Sequence, residues 1–264
     1  MFSDDQYAEF GRTGLVPLPG AIAAQDAEAM VDRIWEHLDR SHGVVRGRPE
    51  TWSAGQISGL RAVTAAPEFE ALGSAVIRAA VDDLLGAGRW RPPRRWGRLL
   101  VTFPSGAAQW DLPRGGAWHN DFVPLHQDAS VRGVQLFVIL KDLPARGGGT
   151  VVLTGSHHLV SQYIARSGRA PHPRQLRAML SDQPWLRDLW APAPGSSAEH
   201  RIRRFMSDGM RIGEVELRVA ELTGRAGDAF VMHCDTFHAA APNCHDEPRL
   251  MTTHMVLQAG DSIP

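Results

Sequence analysis

The chain has 264 residues, of which 43% are hydrophobic and 22% charged, values that suit a globular protein with a sizeable core and exclude a mostly disordered one. Lys and Arg number 28 against 29 for Asp and Glu, a net charge of −1, which removes the strongest argument for a dedicated nucleic-acid binder. The two cysteines, Cys234 and Cys244, rule out a disulfide scaffold and a structural zinc site built from four cysteines.

The acidic start Met1–Asp5 has no apolar run behind it, so a secretory signal is not expected. No apolar stretch approaches the roughly 18 residues a membrane span needs, and the expected address is the cytoplasm. A short helix is predicted over residues 3–10, capped by Ser3 or Asp4 and ended by Gly11 and Gly14. The segment 15–20, punctuated by Pro17 and Pro19, reads as extended. Ala27, Met30, Val31, Ile34, Trp35 and Leu38 recur at helical spacing within an amphipathic helix over 24–40. After a loop at 41–59, a further helix is expected over 67–85, with Phe69, Leu72, Val76, Ala80 and Leu84 on one side.

The texture changes after Pro93. Strands are predicted at 98–103, 131–140, 149–153, 215–222, 228–233 and 250–258, separated by Gly- and Pro-rich turns. Many short strands with such punctuation indicate an antiparallel sandwich or barrel. A polar, partly helical segment at 157–210 interrupts the pattern, and an insertion of that length reads as a lid or binding segment. The chain is therefore read as one domain: a mainly helical part (1–95), barrel strands (96–156 and 211–260) and the insertion.

The sharpest chemical feature is Trp118-His119-Asn120-Asp121. On an extended chain, side chains two residues apart share a face, so His119 and Asp121 can offer an imidazole nitrogen and a carboxylate oxygen to adjacent corners of one metal ion. His238, just after the strand ending at His233, is the natural third ligand. Two histidines and one carboxylate on one face leave three octahedral positions open, an arrangement that suits non-haem Fe(II) binding a co-substrate and oxygen. A second pair of the same pattern, His126 and Asp128, follows seven residues later, and each pair taken alone is as consistent with a solvated turn.

The ordered set of motifs resembles the phytanoyl-CoA dioxygenase family of Fe(II)/2-oxoglutarate oxygenases. Phe2–Phe10 and Gly14–Gly20 look like that family's opening helix and first strand. Trp118–Asp121 matches its proximal iron motif. Gly147–His157 matches its glycine turn, strand and Gly-Ser-His signature, and Gly227-Asp228-Ala229-Phe230 leads to the distal ligand. The spacing to Gly148 selects His119/Asp121 over His126/Asp128, which would sit in the following loop. By this resemblance the fold is a double-stranded β-helix, a cupin-like jelly-roll barrel, mainly β with flanking helices buttressing one sheet. His119, Asp121 and His238 would hold Fe(II). Arg249, eleven residues after His238, would pair with the far carboxylate of 2-oxoglutarate; a buried carboxylate needs a charged partner, and guanidinium meets it bidentately. Thr102 and Gln109 are candidates for contacting the iron-chelating end.

Many relatives place a hydroxyl two residues after the distal histidine, where this chain has Ala240. In related halogenases a small residue replaces the carboxylate ligand; Asp121 stands here, so hydroxylation of a small molecule with O2 is expected, yielding succinate and CO2. Neither nucleic acid nor membrane is an expected partner. The competing reading is a metal-binding jelly-roll module without turnover that serves in interaction or sensing, against which the intact ligand set and Arg249 weigh.

Other residues receive plainer expectations. His157 and His158 would orient a turn, His233 would be core or stand behind the ligands, and His254 alternates away from Arg249. Cys234 and Cys244 would pack. Trp118, Phe122, Tyr163, Trp185, Trp190 and Met206 are candidate pocket linings. The run Arg89-Trp90-Arg91-Pro92-Pro93-Arg94-Arg95-Trp96 reads as a surface linker with Arg–Trp stacking, with a phosphate-bearing ligand or nucleic acid as its functional alternative.

Overall fold

The computed structural model describes residues 2–52, 57, 59–121, 131–168 and 172–259. The N-terminal helices are α1 (Asp4–Thr13), α2 (Ala24–His42), α3 (Leu60–Val63) and α4 (Ala75–Leu85). Strand β1 (Leu15–Leu18) lies between α1 and α2, and β2 (Arg98–Thr102), β3 (Gly133–Ile139) and β4 (Thr150–Thr154) follow. The insertion carries α5 (Ser156–Ser167), α6 (Pro173–Leu180), α7 (Pro184–Trp190) and α8 (Ala198–Ile202). The chain then forms β5 (Met210–Ile212), β6 (Val215–Glu221), β7 (Ala229–His233), β8 (His238–Ala240) and β9 (Arg249–Leu257).

Among the described residues the strands form two antiparallel sheets, ordered β1-β7-β3-β9-β2 and β5-β6-β4-β8. Alternation along each strand sends successive side chains to opposite faces, and three cores result. Leu136 and Val138 of β3, with Leu250 and Val256 of β9, meet α2 and α4 on the outer face of the larger sheet. Phe137, Ile139, Met232 and Met251 of that sheet meet Val152 of β4 between the sheets. Val151, Leu153, Leu217 and Val219 meet the insertion helices on the outer face of the smaller sheet. This is the expected jelly-roll arrangement, with the N-terminal helices buttressing one sheet. Helix α2 buries all six of its periodic apolar residues, each large one contributing about 1.5–3 kcal/mol.

Several elements differ from expectation for local reasons. Helix α1 runs on through Gly11 and stops at Gly14, whose φ of 72° closes it; glycine in mid-helix costs only about 1 kcal/mol. At the start, Ser3 and Gln6 form a reciprocal capping box. The helix expected over 67–85 is broken into a 3-10 segment, Pro67–Gly73, and α4. Ser74 accepts from the Ile77 amide and donates to the Ala21 carbonyl, so a new helix starts there in a shifted register. Ile77, Ala80, Val81 and Leu85 are consequently buried and Val76 is exposed.

The insertion is not the polar segment its composition suggests. Leu176, Trp185, Leu186, Leu189, Trp190 and Phe205 are buried with Trp118 and Phe237 in one cluster, and Tyr163 and Met206 pack against it. The aromatic residues expected as pocket linings therefore build a second core, apart from Phe122, which lies outside the described residues. No described helix is long and apolar enough to cross a membrane.

Gly155 joins β4 to α5 at φ 79°, and a Cβ there would stand 2.1 Å from the Glu216 carbonyl oxygen. The left-handed backbone costs a non-glycine residue about 1–2 kcal/mol, and the clash adds to it. Gly155→Ala should lower the unfolding free energy by at least about 2 kcal/mol in urea denaturation; an unchanged midpoint would contradict the close approach.

Candidate metal centre

The site is built across a backbone bridge. The amide of His119 donates to the His238 carbonyl at 3.0 Å and the amide of His238 donates to the His119 carbonyl at 2.8 Å. Residues that exchange both hydrogen bonds lie directly opposite each other, so their side chains leave on one face. His238 also registers with Val152 of β4, whose side chain lies between the sheets; that face is the interior. His119 thus stands in an isolated bridge at the edge of β8 and not on the continuous strand expected. The extended chain beyond it still carries Asp121 back to the same side.

Ligand atoms of His119, Asp121 and His238 lie within 4.8 Å of one another. The two imidazole centroids are 4.4 Å apart, and Nε2 of His238 is 3.9 Å from a carboxylate oxygen of Asp121. Nδ1–H of His119 donates to the Ala117 carbonyl at 2.8 Å, and Nδ1–H of His238 to the Thr236 carbonyl at 3.1 Å. Each bond fixes the tautomer and leaves Nε2 as the free lone pair. Burial and the neighbouring His119 hold His238 down to about 4 against the opposing pull of Asp121, so it stays neutral, the form that binds a metal.

Arg249 begins β9, whose odd-numbered Met251 faces the space between the sheets. It is 5% exposed, and burial pulls its pKa down to about 10. Its Nη2 donates to the hydroxyl of Thr102, its partner across β2. Among the described residues its Nε and Nη1 are buried without a partner. A buried cation with two unused donors is costly unless an anion completes it.

Thr102 therefore braces Arg249, while Ala240 is exposed. Gln109 is exposed and lines a different cavity with Trp110, Arg146, Glu199 and His245, because the segment after β2 is irregular and keeps no strand alternation. His126 and Asp128 lie outside the described residues.

Several supporting groups carry no recognisable signal in residue type or spacing. Asn243 donates to the carbonyls of Thr102 and Glu247, tying the turn before Arg249 to β2. Arg177 donates to the Trp118 carbonyl at 2.8 Å. Arg201, 1% exposed, donates to Asp111 and to the carbonyls of Leu112, Pro113 and Leu189. Insertion helices thus grip the backbone that leads into His119. Gln135 is the lone polar residue in the apolar run of β3; its amide donates to Thr253, and its Oε1 is buried without a partner.

Among the described residues, His233, Cys234 and Asp235 form a second cluster of ligand-type atoms. It is not equipped for a metal. Asp235 already receives both of its bonds from the Arg132 guanidinium at 2.6 Å. Burial pushes the Cys234 thiol up, away from the thiolate that would ligate. His157 stacks 4.9 Å from His233 and 4.0 Å from His158.

The chain matches the family model for phytanoyl-CoA dioxygenase over residues 10–251. No curated protein matches its sequence significantly. Among solved structures it is similar to the epimerase SnoN in complex with Fe3+, alpha-ketoglutarate and nogalamycin RO, at 20% identity and a TM-score of 0.56, covering 98% of this chain and 85% of that one. The alpha-ketoglutarate-dependent carbocyclase SnoK from nogalamycin biosynthesis is similar at 20% identity and 0.56, covering 99% and 86%. HygX from Streptomyces hygroscopicus with nickel and 2-oxoglutarate bound follows at 16% and 0.53, covering 97% and 87%.

The buried histidine cluster has a consequence for stability. Burial, and then His233 and His158, push His157 down from 6.5 to about 3. The unfolded chain takes up this proton below the ordinary value while the folded chain refuses it, so stability falls as pH drops from 6.5 towards 3. Each pH unit in that window costs about 1.4 kcal/mol per such group. Denaturation midpoints for wild type and His157→Gln, measured across this range, should show a shallower decline in the variant; parallel curves would place the acid sensitivity elsewhere.

Proposed function

Because the chain belongs to the phytanoyl-CoA dioxygenase family, we propose that it is an Fe(II)- and 2-oxoglutarate-dependent oxygenase that hydroxylates a small molecule. His119, Asp121 and His238 would hold the metal, and Arg249 would hold the distal carboxylate of 2-oxoglutarate. The observation that carries this reading is a cluster of His119, Asp121 and His238 with ligand atoms within 4.8 Å of one another, together with a buried guanidinium whose Nε and Nη1 have no partner among the described residues. Iron held by these residues would supply, with 2-oxoglutarate and O2, the oxidising chemistry whose co-products are succinate and CO2.

The chain's own residues set the conditions. Two imidazoles and one carboxylate would offset half of the charge of a divalent ion and would leave positions open for further ligands. Thr102 accepts from Nη2 and holds the guanidinium in place, leaving Nε and Nη1 to donate to an anion. Phe137, Met232, Met251 and Val152 make the space between the sheets apolar, which strengthens that ion pair by lowering the local dielectric. Asp121 fills the third protein position, which argues for oxygen insertion over halide transfer. Epimerase and carbocyclase activities belong to the similar SnoN and SnoK, so product composition is the deciding readout: hydroxylation adds one oxygen, epimerisation leaves the mass unchanged, and ring closure removes two hydrogens. The reading as a silent binding module is disfavoured by the unspent donors of Arg249, which a metal-only module would not need.

Asp121→Ala should cut 2-oxoglutarate-dependent succinate formation at least about 100-fold while leaving the circular dichroism spectrum intact. Turnover at the wild-type rate would refute the metal assignment. Arg249→Gln leaves the carboxylate without its charged partner, a loss of about 2–5 kcal/mol. Its KM for 2-oxoglutarate should rise at least about 30-fold, with a smaller change at saturation; an unchanged KM would remove Arg249 from the co-substrate site.

A further inference from the structure

On β9 the inner face carries Arg249 and the outer face carries His254, five residues later. His254 lies 5.7 Å from Trp96, within the helix-covered side of the larger sheet. There it lines an open cavity of about 620 Å³ together with Arg61, Thr64, Arg94, Arg95 and Arg98. Among the described residues no acidic side chain lines it. Its four arginines are exposed, and among the described residues none of their guanidinium groups makes an ion pair or hydrogen bond. This is unlike Arg12, Arg33, Arg46, Arg114, Arg204 and Arg211, each of which meets a carboxylate. Four uncompensated cations around one concavity repel one another, and in a chain of net charge −1 carboxylates were available to offset them.

We propose that this cavity binds a small polyanion bearing several phosphate or carboxylate groups, at a site on the opposite face of the larger sheet from the metal centre. Guanidinium is the side chain that meets planar or tetrahedral oxyanions with paired hydrogen bonds, and several such groups converge only on a multiply charged ligand. The volume falls in the range of small-molecule pockets, about 300–1,000 Å³. A single-stranded nucleic acid would need exposed aromatic faces to stack on. Here Trp90 and Trp96 are buried against the core, with Arg78 lying 5.4 Å over the Trp96 ring. The Arg/Trp run thus divides its work, with Trp90 and Trp96 anchoring inward and Arg94 and Arg95 lining the cavity. The inference does not rest on the oxygenase reading.

The test is calorimetric titration of the full chain, freed of metal with EDTA so that the probe cannot chelate iron. Inorganic tripolyphosphate and citrate are the two probes, with short single- and double-stranded DNA as comparators. Saturable binding of tripolyphosphate or citrate is expected, weakening as salt is raised. Whichever binds more tightly identifies the phosphate or the carboxylate class. Arg94→Gln/Arg95→Gln and Arg98→Gln should each weaken binding at least about tenfold, whereas Arg225→Gln, outside the cavity, should not. Matched thermal midpoints among these surface variants would keep a folding defect from mimicking the loss. Absence of binding at low salt, equal affinity across all variants, or DNA binding at least about tenfold tighter than either small anion would overturn the proposal.

Discussion

The amides and carbonyls of His119 and His238 hold each other in a reciprocal hydrogen-bonded pair, and the candidate centre depends on that pair. The two residues come from distant parts of the chain. Without the bridge, one imidazole would belong to an irregular loop and the other to the short edge strand β8, with nothing to aim them at a common point. With it, both rings must leave on the inner face, and Asp121 joins them through the two-residue repeat of an extended chain. The bridge extends the smaller sheet by one position, and that position carries His119 of the candidate centre.

Much of the rest of the molecule serves to keep the bridge in place. The backbone before His119 has no strand of its own, so it borrows rigidity from the insertion. Arg177 takes the Trp118 carbonyl, and the buried Arg201 takes Asp111 and two carbonyls beyond it. The insertion helices can do this because they are themselves a packed core against the smaller sheet. On the other sheet, Asn243 draws the turn before Arg249 onto β2, and Thr102 engages Nη2 of the guanidinium, while Nε and Nη1 have no partner among the described residues. His238 of the candidate centre and Arg249 thus come from opposite sheets, with an apolar layer between the sheets.

The same strand, β9, serves two faces. Its odd positions place Arg249 and Met251 inside, and its even positions place Leu250 and Val256 against the helices, with His254 beside Trp96. The alternation that builds the centre also builds a basic cavity behind it, at a place where an exposed Arg-rich turn crosses a half-buried strand.

Sequence alone was sufficient for what is local or periodic. The helical spacing of α2 and the alternation of the strands could be read from residue types and intervals, since a repeat of two or of 3.6 is imposed by the backbone itself; His119, Asp121, His238 and Arg249 were singled out by motif order and family resemblance, and the fold brings the first three together. The motif order was enough to suggest the family, which the match over residues 10–251 then established. What could not be read was settled by contacts between distant segments. Ser74 restarted a helix because it could reach Ala21, Val76 lost its place in the core for that reason, and the insertion's scattered tryptophans became a core because the smaller sheet offered them a face. Gln109 and Thr102 looked equivalent as polar residues near a strand end. Cross-strand register gave Thr102 to Arg249 and left Gln109 at the surface, because a hydrogen bond is decided by which backbones lie side by side, and only the folded chain contains that information.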